Sequence, residues 1–67
     1  MDVFLRFLQK EYQWSSDSVE EVVKKLSEDD VTSVWLLAEC WGDVQAYFTF
    51  GMKKVVEKEL RNRGMIA

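Results

Sequence analysis

Two groups of acids and one thiol are the side chains of this chain whose types suit chemistry. Glu20-Glu21 and Glu28-Asp29-Asp30 are carboxylate groupings of the kind that hold a hard cation or move a proton. Cys40 would act as a nucleophile if its surroundings favoured the thiolate. Each has a plainer reading. The acids fall in the first turns of the expected second and third helices, where the helix dipole favours negative charge. Cys40 stands between Glu39 and Trp41 on an apolar helix, where a thiol usually serves as inert packing. No histidine is present, so the commonest general base is absent and a zinc ligand set is hard to complete. There is no glycine-rich phosphate loop. The reading is a protein that is not an enzyme, with no metal and no cofactor.

The cations are better placed for recognition. Net charge is −3, unevenly spread along 67 residues. Residues 1–30 carry four basic and eight acidic side chains, residues 31–50 add only Glu39 and Asp43, and residues 51–67 carry five basic against two acidic. Such polarity favours head-to-tail contacts, an acidic partner, or nucleic acid at the basic end. The alternative is structural, since basic residues near a helix C-terminus complement its dipole.

Hydrophobic periodicity places these groups on four helices, about 2–13, 18–26, 28–41 and 43–63. In the first, Phe4, Leu5, Leu8 and Tyr12 share one face, and Trp14 follows in the turn. In the second, Val19, Val22, Val23 and Leu26 stand at i, i+3, i+4 and i+7, and Ser18-x-x-Glu21 has the form of a capping box. Glu20–Lys24 and Glu21–Lys25 have the spacing of helix ion pairs. The third helix is expected to open at Glu28 with Ser27 as cap. It carries the densest apolar run, Val34 to Trp41, in which seven of eight residues are apolar. Val31, Val34, Trp35 and Ala38 form its expected inner stripe, extended by Leu37 and Trp41, with Leu36 and Cys40 on a second face and Gly42 as its stop. The fourth opens at Asp43 and ends at Gly64. Val44, Phe48, Met52, Val56 and Leu60 line it at intervals of four, with Gly51 as a possible break.

The totals bound the rest. A chain of this length is read as a single helical domain, 1–67, all-α, a small bundle of three to four short helices. One cysteine forms no internal disulfide and suits a reducing, cytoplasmic setting. No apolar stretch approaches the roughly 20 residues that span a bilayer, so no membrane partner is expected. Three Trp, four Phe and two Tyr are more aromatic surface than one small core easily encloses. Self-association into a homo-oligomer is the expected outlet. Trp14, Trp41 and Phe50 are the candidate interface residues.

Two resemblances sharpen these expectations. Leu60, Arg63, Gly64, Met65 and Ile66 match the Leu-x-x-Arg-Gly-apolar-Ile close of a recognition helix, and residues 28–66 resemble winged-helix regulators on that basis. The resemblance implies helix-turn-helix DNA binding, with Lys53, Lys54, Lys58 and Arg61 as the contacts. Separately, Leu26-Ser27-Glu28-Asp29, then Trp35 and Ala38, then Glu57-x-Glu59-Leu60-Arg61-x-Arg63-Gly64-Met65 resembles small helical-hairpin inhibitors of sporulation histidine kinases, although Asn62 replaces one of the paired arginines. That likeness implies a protein that works by binding protein. The expectation is a small regulatory or adaptor protein acting by protein binding, with DNA-binding regulation as the alternative.

Overall fold

The computed structural model describes residues 2–66. They form α1 (Asp2–Tyr12), α2 (Ser16–Glu28), α3 (Val34–Glu39), α4 (Trp41–Val44), a 3-10 turn (Gln45–Tyr47) and α5 (Phe50–Asn62). The fold is all-α, with no strand among the described residues. Contacts divide the chain into two compact units, the first ending at Val34 and the second beginning at Trp35.

The first unit is built on a helical hairpin. Leu5, Leu8, Val19 and Leu26 are fully buried, joined by Phe4, Val22 and Val31. Polar contacts along its flank set the register. Gln9 Nε2 donates to Ser16 Oγ at 3.0 Å, and Arg6 pairs with Glu20 at 3.7 Å. As one partner's number falls the other's rises, so α1 and α2 run antiparallel. Glu20 thus serves the hairpin rather than a pair with Lys24, while Lys25–Glu21 forms at 3.3 Å. Such exposed pairs contribute about 0–1 kcal/mol each, so apolar burial carries the unit.

The start of α2 lies earlier than its apolar pattern suggests. Ser15 is the N-cap, its Oγ accepting from the Ser18 N–H at 3.2 Å and donating to Ser18 Oγ at 2.8 Å. The cap spacing is that of the expected Ser18-x-x-Glu21 box, moved three residues toward the N-terminus. Its far end differs too. α2 continues through Ser27 and Glu28, so Ser27 caps nothing and α3 waits until Val34. Glu28, Asp29 and Asp30 therefore sit at a helix C-terminus, the negative pole, and not in a favourable first turn.

Three helices end by one device. After α2, Asp30 takes a left-handed φ of 60°. Its N–H bonds Ser27 O at 3.1 Å, and the Val31 N–H bonds Leu26 O at 2.8 Å. After α5, Gly64 has φ 72°, its N–H bonds Arg61 O, and the Met65 N–H bonds Leu60 O, both at 3.0 Å. These are complete Schellman closures. After α1, Gln13 has φ 56° and the Trp14 N–H reaches Gln9 O at 3.1 Å. Only Gly64 takes that conformation without side-chain strain. A left-handed L-residue costs roughly 1–2 kcal/mol, less for Asp than for Gln. Gln13→Gly should therefore raise stability by about 0.5–1 kcal/mol after the extra freedom that glycine gives the unfolded chain. Urea denaturation reads this directly, and a midpoint no higher than wild type would refute the left-handed assignment at Gln13.

In the second unit the chain turns more often than its pattern suggests. α3 ends at Glu39, Cys40 forms a turn, and Gly42 lies inside α4 instead of stopping a helix. Asp43 is likewise inside α4. The stretch 43–63 is not one helix. It breaks at Phe48–Thr49, before Gly51, and Thr49 caps α5 by accepting from the Met52 N–H at 3.4 Å. Gly51 thus lies in a first turn, where its cost is smaller than in a helix interior. Leu37, Ala38, Trp41, Val44, Phe48, Met52, Val56 and Leu60 are the buried apolar side chains of this unit.

Candidate interaction surface

The sequence pattern misplaces one residue of the third helix's inner face. Trp35, expected on the inner stripe, is 68% exposed, whereas Leu37, Ala38 and Trp41 are buried. Of the expected stripe, Val31 and Ala38 are buried, Val34 is half-buried and only Trp35 faces out; Leu37 and Trp41, expected to extend it, are buried as well. Within a run that is apolar almost throughout, the residue types alone leave the phase undetermined.

The same correction removes one expected surface anchor. Trp41 is only 6% exposed. Its ring lies 5.4 Å from that of Phe48, tilted by 53°, within the usual range for an aromatic pair. Its Nε1 is buried with no acceptor among the described residues, which costs free energy on folding. Trp41 is a core residue. Trp14 is half-buried and stacks on Tyr12 at a centroid distance of 6.0 Å. It follows the left-handed Gln13, so the closure of α1 holds it against the helix end.

Phe50 is an exposed aromatic at 71%. It opens α5 directly after the Thr49 cap. Lys53 Nζ and Lys54 Nζ lie 5.6 and 5.5 Å from its ring centroid. These are cation–π distances, made possible because residues three and four apart are neighbours on a helix. Phe50, Lys54, Lys58 and Arg61 follow the face of α5 opposite Met52, Val56 and Leu60, which are buried.

The cations of α5 divide into two groups. Arg61 pairs with Glu57 at 3.8 Å and Arg63 with Glu59 at 3.7 Å. Lys53, Lys54 and Lys58 have no carboxylate within ion-pair distance among the described residues. Arg61 is thus partly neutralised, and the concentrated positive charge lies at Lys53 and Lys54 beside Phe50. No acidic residue occupies the first turn of α5, so the dipole adds to that charge.

The remaining large apolar side chains exposed among the described residues are Val3, Phe7 and Tyr12 on α1, and Trp35 and Leu36 on α3. Val3 and Phe7 are four apart and share a flank of α1, outside the buried Phe4, Leu5 and Leu8 face. Phe7 was not singled out in the sequence because it borders the apolar face of α1, and Trp35 was placed on the inner stripe.

The groups suited to chemistry are dispersed. Glu20 and Glu21 lie in the middle of α2, and Glu28 to Asp30 at its end. Cys40 is half-buried in the turn before α4. Among the described residues no three His, Cys, Asp or Glu side chains are grouped so as to hold a metal ion. No helix there is long and apolar enough to cross a membrane. The chain matches no known protein family, no curated protein and no solved structure.

Proposed function

We propose that this chain is a small regulatory or adaptor protein that acts by binding protein and not by catalysis, and that it self-associates. The observation that carries this reading is the set of large apolar side chains left in water: Val3, Phe7, Trp35 and Phe50 are each half exposed or more. Aromatic side chains supply much of the binding energy at protein interfaces, and Val3 and Phe7, four apart on α1, adjoin each other. Trp35 joins Phe50 as an anchor in place of Trp41.

Sedimentation velocity at micromolar concentration tests the reading. The expected result is a dimer or larger species in a concentration-dependent equilibrium. A monomer at every concentration would count against self-association. A second reading, duplex DNA binding, is favoured by one observation, the alignment of Lys54, Lys58 and Arg61 on the outer face of α5. It requires DNA retention that falls steeply with salt and is lost when Lys53, Lys54, Lys58 and Arg61 are neutralised. The overall charge of −3 opposes it, and weak or absent retention is the expected result.

A further inference from the structure

We draw no further inference here: the strongest candidate, the surface patch at the start of α5 where Lys53 and Lys54 lie beside the exposed ring of Phe50, carries nothing because nothing in the structure shows what covers it.

Discussion

Trp41→Ala should unfold the second unit or come close to it. The indole is 94% buried by its 6% exposure and packs on Phe48 at 5.4 Å. Truncating a buried aromatic to alanine costs about 3–5 kcal/mol, from lost transfer energy and the cavity left behind. That is a large fraction of the stability of any small domain. Trp35→Ala is the control. The same residue type six positions earlier is 68% exposed, and its loss should change stability by no more than about 0.5 kcal/mol, the usual range for a surface substitution. Trp41→Phe separates two contributions. It gives up part of the ring but also removes an Nε1 donor that has no acceptor among the described residues, a group whose burial costs about 1–3 kcal/mol. It should be several-fold less damaging than Trp41→Ala. Thermal and urea unfolding of the three variants checks the set. Equal losses at Trp35 and Trp41 would mean that the phase of α3 is misassigned.

Leu26→Ala should be the most damaging single change in the first unit, at about 2–5 kcal/mol. Leu26 is fully buried, but burial is only one of its roles. Its carbonyl accepts the 2.8 Å bond from the Val31 N–H that closes α2, and Val31 is itself buried. In a Schellman closure these two positions commonly pack on each other. Removing the leucine side chain therefore loosens both the hairpin core and the turn that leaves it. Amide hydrogen exchange locates the effect, with protection lost at Val31 as well as along α2. A drop in stability that leaves Val31 protected would show that the closure does not depend on the leucine side chain.

The residues themselves determined a good deal. The all-α fold follows from helical spacing in each apolar set and from the lack of any alternating stretch with a partner strand. α1 lies where Phe4, Leu5 and Leu8 place it, because an amphipathic helix with one clear apolar face has only one way to bury it. The C-terminal stop at Gly64 was legible for a similar reason, since glycine alone reaches a left-handed φ without strain. The exposure of Phe50 was legible too, because it falls opposite the stripe of Met52, Val56 and Leu60.

Tertiary structure alone decided the remainder. Nearly every position of the run Val34–Trp41 is apolar, so only packing could send Trp35 outward while Leu37 and Trp41 stay inside. Two left-handed closures were hidden because Gln13 and Asp30 carry no glycine signal, and surrounding structure imposes a conformation that neither would choose alone. That hidden turn at Asp30 also moved the start of α3 from Glu28 to Val34. It turned Glu28, Asp29 and Asp30 from first-turn acids into an acidic helix end. Charge at a helix terminus is favourable or unfavourable according to which terminus it occupies, and the order of the residues does not say which until the backbone has turned.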